Sequence, residues 1–369
     1  MSNFLRAFFV FIGTVIGVGV FALPYISMQT GFSLLVFYLF VLGYIVFVIH
    51  KTFGEVALGT EGFLRLPGYV KLYLGGKISK LYSATVPFNF AGVLVLYIII
   101  GGNFLYGFLS PYFGGSAFLY SIIFFVIGSV FVFFGIKSIS LADLLFIVFL
   151  IVVTTLLLLK GLPYFDISNF AYLNPEKFVV PYGAVLFSLW GLSIVPELED
   201  ILGRDSKKIT KVIKYGLLFS IFYYIFFTAV VFGISGEKTT QDAFSGLFAV
   251  MGDGFLRISL LLGFFNCFTS FLAIGLTFKK VFWYDFKLNK HVSFLISMGL
   301  PLVIFLLGIR EFVNTLSIIG ALFLGIDSIF VIWIYKRFCQ KEGKKFPVYF
   351  YPLPSLFILG VALTLIYIH

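Results

Sequence analysis

Eleven apolar runs, parted by short polar or turn-rich stretches, occupy residues 5–28, 32–52, 82–109, 117–136, 140–160, 181–202, 210–233, 255–278, 291–308, 312–335 and 347–367. A helix rises about 1.5 Å per residue, so roughly 20 apolar residues cross the hydrocarbon of a bilayer. Most runs reach that length and are apolar all round, which predicts spanning helices rather than amphipathic surface ones. Two inter-run stretches on the predicted outer side, 161–180 and 234–254, exceed a minimal turn. In the second, AFSGLFAVMG predicts a short amphipathic helix lying on the outer surface, placed to act as a lid.

Charge orients these spans. With the N-terminus inside, 21 of the 26 Lys and Arg residues fall on the cytoplasmic side, in clusters such as Lys207, Lys208, Lys211 and Lys214; the outer side receives Lys160, Lys177, Lys238, Arg257 and Arg310. A wrong count of runs would scramble this bias, which is the positive-inside rule. It places the C-terminus outside and reads the net charge of +10 as topology, so no nucleic-acid partner is expected.

Composition sharpens the class. With 61% hydrophobic and 11% charged residues and a mean hydropathy of +1.10, the chain exceeds what a soluble core requires. The spans leave no room for a large soluble domain, and the whole of 1–369 reads as one transmembrane domain. The first run, led by Arg6, is long for a signal peptide and lacks a small-x-small cleavage site, so it is expected to stay as a helix. Two cysteines, Cys267 and Cys339, provide no disulfide framework and no metal spacing.

Two runs are interrupted. The first carries Gly13, Thr14, Val15, Ile16, Gly17, Val18 and Gly19, followed by Pro24; such glycine density weakens a helix where lipid offers the backbone no replacement hydrogen bond. Gly13 and Gly17 also make a GxxxG step, a common helix-packing face. The sixth repeats the anomaly with Ser188, Leu189, Trp190, Gly191, Ser193 and Pro196. Because the two runs enter from opposite sides, the breaks correspond in two halves of opposite orientation, about 5–160 and 181–335, with an extra helix at 347–367. That pattern points to an inverted-repeat transporter. Half-helix N-termini there present N–H groups to a carboxylate, and unwound carbonyls receive an ammonium or a cation, which suits an amino acid zwitterion.

Polar residues elsewhere in the spans extend the candidate set. Asn266, Thr269 and Ser270 share one face of the eighth run, where three oxygen-bearing groups can ligate Na⁺ or simply bond to neighbouring backbone. Asn89, Tyr97 and Asn103 of the third run are placed to complete a pocket, or to glue helices. Ionisable groups inside spans are functional candidates by default: Glu197, Asp327, Asp143, Glu55 and His50. Glu197, Glu199 and Asp200 face Arg204 and Lys207 as a salt-bridge cluster or gate, while Asp327 lies deeper. No HExxH, P-loop, His or Cys cluster or triad-like set occurs, so neither an enzyme nor an ATP-driven pump is expected.

GTVIGVGVFALPY in the first run, VLFSLWGLSIVPEL in the sixth and TSFL in the eighth resemble the aromatic and neutral amino acid permeases of the amino acid, polyamine and organocation superfamily, over nearly the whole chain. The resemblance implies an all-α, five-plus-five inverted-repeat fold with an eleventh helix. It also implies an amino acid held at Thr14 to Gly19 and Ser188 to Ser193. In sodium-coupled relatives a cation sits between the first and eighth helices, which maps onto Gly13, Ile16, Thr269 and Ser270, with Asn266 adjacent. The chain departs from the family where a His often follows the Gly-aromatic step of the sixth helix, and where Ala273 replaces the Gly that often follows TSFL. The expectation is a plasma-membrane symporter of a neutral or aromatic amino acid with H⁺ or Na⁺, without cofactor or obligatory protein partner. Its rivals are the same fold carrying a polyamine, nucleobase or inorganic ion, and a sensor that binds amino acids without moving them.

Overall fold

The computed structural model describes residues 2–62, 64–135, 140–252 and 255–368, and only the backbone for 140–147, 255, 256, 258, 262, 285 and 368. Asp143 therefore lies outside the described side chains, and Lys137 outside the described residues. All regular structure among the described residues is helical. In chain order the helices are α1 Asn3–Val15, α2 Gly19–Thr30, α3 Phe32–Leu58, α4 Leu66–Leu74, α5 Gly76–Phe113, α6 Ala117–Phe134, α7 Ser140–Gly161 and α8 Pro181–Ser188. There follow α9 Glu197–Leu202, α10 Ser206–Ser235, α11 Phe244–Met251, α12 Phe255–Lys280, α13 Lys290–Leu306, α14 Phe312–Ile318, α15 Gly325–Lys341 and α16 Leu353–Ile368.

Seven helical segments among the described residues are long and apolar enough to cross a membrane, and α1 with α2 makes an eighth when the bent pair counts as one span. Shorter apolar helices cover 148–164, 181–194 and 290–306. Each of the eleven apolar runs meets one of these elements. The third helix extends beyond its run at both ends, from Gly76 to Phe113 rather than 82–109, because turn-poor polar residues such as Ser79 and Lys80 continue a helix outside the hydrocarbon as readily as apolar ones.

Local chemistry explains the interruptions. The α1 helix stops at Ile16, whose φ/ψ of −81°/74° leaves the helical region, and the Gly17 N–H folds back onto Val15 O at 2.9 Å. After three residues α2 restarts at Gly19, bent by 51° from α1. In the sixth run α8 ends at Ser188, a single 3₁₀ turn covers Leu192–Ile194, and α9 starts behind Pro196, a residue that donates no backbone hydrogen bond and so suits a helix start. The tenth run carries no break, but π-helical geometry intervenes at Ile319–Leu324 between α14 and α15. There α8 and the π segment meet backbone to backbone: a Cβ on Gly320 would lie 1.9 Å from Gly183 O.

Packing sorts the helices into two groups. In one, α10 is the hub, touching α1, α2, α3 and α7, with α8 against α2 and α3 and α9 against α1. In the other, α5 is the hub, packed on α12, α6 and α13. The π segment and α15 join the two, touching α8 and α3 on one side and α4 and α5 on the other. Phenylalanine dominates the contacts between elements, including the stacked pair Phe90 and Phe278 at 5.2 Å between α5 and α12.

Candidate substrate site at the paired helix breaks

The two interruptions lie against each other at the centre of the first group. A Cβ on Gly19 would fall 2.4 Å from Ser188 Oγ and 2.9 Å from Ser188 Cα, so the start of α2 touches the end of α8. A Cβ on Gly191 would fall 2.7 Å from Val15 Cγ2, so the end of α1 touches the segment leading into α9. Both approaches require glycine. The start of one half-helix, where N–H groups are orphaned, thus faces the end of another, where carbonyls are. This juxtaposition of opposite dipole ends is the arrangement a zwitterion matches.

Two side chains from neighbouring helices fasten the breaks. The Tyr224 hydroxyl of α10 lies 2.8 Å from Val15 O and 2.6 Å from Ser188 O, sharing one proton between the last carbonyls of α1 and α8. His50 of α3 is fully buried; its Nδ1 is 2.8 Å from Val46 O and its Nε2 receives the Gly191 N–H at 2.9 Å. These partners fix the tautomer: Nδ1 carries the proton and Nε2 accepts. The ring also meets Trp190 edge-on at 5.2 Å and Phe11 at 6.3 Å. Neither residue was among the sequence candidates for substrate contact. His50 stood out only as an ionisable group in a span, and nothing in the FYY context of Tyr224 marked it.

The other sequence candidates are distributed as follows. Val15, Ile16, Val18, Gly19, Ser188, Leu189 and Gly191 are buried at the paired breaks; Gly13, Gly17 and Trp190 are half-buried, and Thr14 and Ser193 are exposed. The Tyr97 hydroxyl of α5 stands 3.4 Å from where a Cβ on Gly17 would lie, so the second packing group contributes a wall to the site. Asn89 and Asn103 are half-buried on the same helix. The proposed cation ligands divide differently. Thr269 Oγ1 donates to Asn266 O at 3.1 Å, within α12. That helix packs mainly on α5, α6 and α13, whereas α1 packs on α7, α9 and α10, and among the described residues no hydrogen bond joins the Gly13–Ile16 turn to Thr269 or Ser270.

The side carrying residues 236–252 is closed. Phe244 of α11 packs its ring on Phe21 of α2 at 5.5 Å, Phe104 of α5 at 5.7 Å and Phe227 of α10 at 6.3 Å. The short helix expected within 234–254 forms here, with Phe244 and Leu247 buried and Ser245 and Phe248 exposed. Its entry is tightly built: Asp242 accepts from the Thr240 and Ser245 hydroxyls, and Ala243 takes the left-handed φ of 64°.

On the opposite side, Arg204 donates to Leu58 O and Thr60 O at the end of α3 and lies 3.4 Å from Glu199. A cavity of about 320 Å³ opens there, lined by Thr60, Gly62, Glu199, Asp200 and Arg204. Glu199, not Glu197, makes this ion pair; Glu197 is exposed at the first position of α9. Outside the spans, the Lys208 N–H bonded to Asp205 at the start of α10 holds that carboxyl below the usual carboxylate range. Asp327 is buried on α15 and accepts a hydrogen bond from the Tyr82 hydroxyl of α5 at 2.6 Å.

Solved structures share this architecture. The chain aligns over 100% of its length with 98% of MhsT in complex with L-phenylalanine, at a TM-score of 0.65 and 13% identity. It aligns over 100% of its length with 91% of Mhp1, a nucleobase-cation-symport-1 family transporter in a closed conformation with bromovinylhydantoin bound, at a TM-score of 0.66 and 13% identity. These likenesses establish the transporter fold with broken first and sixth helices. No curated protein matches the sequence. The profile of the tryptophan/tyrosine permease family matches residues 1–367. The chain is therefore a multi-pass membrane protein and a secondary amino acid transporter, not an enzyme, and it belongs to the tryptophan/tyrosine permease family.

Proposed function

We propose that this chain symports a neutral or aromatic amino acid with a proton, by alternating access around the paired breaks. The observation that carries the reading is the face-to-face meeting of Gly19 with Ser188 and of Val15 with Gly191. The N–H groups at the start of α2 receive the substrate carboxylate, and carbonyls near the ends of α1 and α8 receive its ammonium. Tyr97, Trp190 and Phe11 supply the wall for an apolar or aromatic side chain. MhsT, which shares the fold, is described in complex with L-phenylalanine, which supports such a cargo here; the hydantoin in Mhp1 keeps a heterocyclic cargo as the reading to test against it. In this reading the protein sits in the plasma membrane, and its charge bias supports an N-terminus inside and a C-terminus outside.

Asp327 supports a proton as the coupling ion. A buried carboxylate that accepts from the Tyr82 hydroxyl is costly to keep ionised in a span, and protonation relieves that cost. It lies where α15 meets α5, at the seam between the two packing groups, so its charge state biases their relative position. Sodium remains the second reading, favoured by the hydroxyl oxygens of the half-buried Thr269 and Ser270. Uptake into proteoliposomes separates the two. Accumulation of labelled tryptophan, tyrosine or phenylalanine under an imposed H⁺ gradient, with Na⁺ absent, is the expected result. Accumulation only under a Na⁺ gradient moves the coupling site to α12, and no accumulation of any amino acid removes the symport reading.

A further inference from the structure

Away from the helix breaks, a second cavity of about 190 Å³ opens where the end of α6 meets α12 and the start of α13, lined by Phe133, Phe134, Lys279, Lys290, His291 and Phe294. Its floor is a fixed cation. Lys279 is almost fully buried and donates to Val132 O at 3.0 Å and Phe133 O at 2.9 Å, the closing carbonyls of α6. It thereby offsets the negative end of that helix, leaving one N–H of its three. Lys290 stands 5.6 Å over the Trp283 ring, and His291 leans on Phe133 at 6.0 Å. Both belong to the first turn of α13, a helix of 17 residues whose start carries the positive dipole end. No carboxylate is among the described lining residues.

The mouth is apolar. Phe134 is 71% exposed and Phe133 adds a partly exposed ring, while Leu295, next to Phe294 along α13, is 66% exposed. Such a rim continues the lipid-facing surface of the spans, so an anion entering from the bilayer brings its hydrocarbon with it. A soluble anion gains nothing from these rings. The Lys-rich segment 279–290 also lies on the side that the charge bias assigns to the cytoplasm, where anionic lipids concentrate.

We propose that this cavity binds the phosphodiester headgroup of an anionic phospholipid, with Lys290 and His291 contacting the phosphate, Lys279 supplying charge from below, and the acyl chains lying over Phe134 and Leu295. Basic pockets between spans are the recurring form of such recognition. The site does not depend on which amino acid is carried or on which ion drives it.

Native mass spectrometry of the full-length protein in detergent, with phosphatidylglycerol or phosphatidylcholine added at equal concentration, tests the assignment. Phosphatidylglycerol adducts are expected to exceed phosphatidylcholine adducts. The K290Q/H291Q double variant, which alters exposed first-turn positions and leaves the Lys279 contacts in place, is expected to lower the former at least about fivefold through the lost Lys290 charge, with the latter and the melting temperature unchanged. Equal retention of the two lipids, or undiminished phosphatidylglycerol binding in the variant, overturns the proposal. Displacement of the lipid by inorganic phosphate would make this a soluble-anion site and overturn the lipid assignment.

Discussion

His50 Nε2 accepts the backbone N–H of Gly191 at 2.9 Å, so an imidazole from the second span holds the unwound residue of the sixth. The bond ties α3 to the break, and the Trp190 ring packs on the same imidazole. Removing it leaves a buried N–H without a partner, a loss of about 1–3 kcal/mol. We predict that His50→Ala lowers uptake at least about tenfold by disordering the break, while His50→Gln, whose amide oxygen can accept the same N–H, recovers part of it. Radiotracer uptake normalised to the amount of folded protein reads the difference.

Tyr224 makes the complementary fastening between Val15 O and Ser188 O. Tyr224→Phe keeps the ring and deletes the shared proton, stranding two buried carbonyls at a cost of about 1–3 kcal/mol. The expected outcome is a lower melting temperature together with a higher KM, since the carbonyls that would receive the ammonium lose their orientation. Thermal unfolding and uptake kinetics on the same preparation check both.

Glycine spacing yields a sharper contrast. Gly19→Ala drives a methyl into the backbone of Ser188, which no rotamer change relieves, whereas Gly17→Ala brings one only to 3.4 Å from the Tyr97 hydroxyl, an ordinary contact. Overpacking of this kind typically costs about 1–3 kcal/mol. Uptake should fall at least about tenfold in the first variant and by less than about threefold in the second. Equal losses would mean that the close approach of α2 to α8 does not matter.

Asp327→Asn and Tyr82→Phe test the coupling. If the carboxylate carries the proton, the Asn variant loses gradient-driven accumulation but keeps substrate exchange between preloaded vesicles and medium, because exchange needs no net proton movement. Tyr82→Phe should keep accumulation and shift its pH dependence. Loss of exchange as well in Asp327→Asn would assign the residue to structure.

The helix breaks were legible because glycine and proline carry a backbone cost that a membrane makes visible: Gly17, Gly19 and Gly191 are where the chain unwinds or passes closely. Their partners were not. His50 lies 141 residues from Gly191 and Tyr224 lies 209 from Val15, separations that no local pattern bridges. Hydropathy anticipated the short helix α11, but not that its Phe244 would pack on the Phe21, Phe104 and Phe227 rings. Among the ionisable residues, sequence depth ranked Asp327 correctly as buried, but its partner Tyr82 required the fold.

The central claim, that substrate lodges between the two breaks, is tested most directly by cysteine protection. Thr14 and Ser193 are exposed beside the site, while the native Cys267 and Cys339 are buried, so single cysteines at 14 and 193 can be labelled with a maleimide over a quiet background. Saturating tryptophan or tyrosine should slow labelling at both positions several-fold and leave a control cysteine at the exposed Tyr349, just before α16, unchanged. Labelling rates at 14 and 193 unaffected by a substrate that the same protein transports would contradict the account.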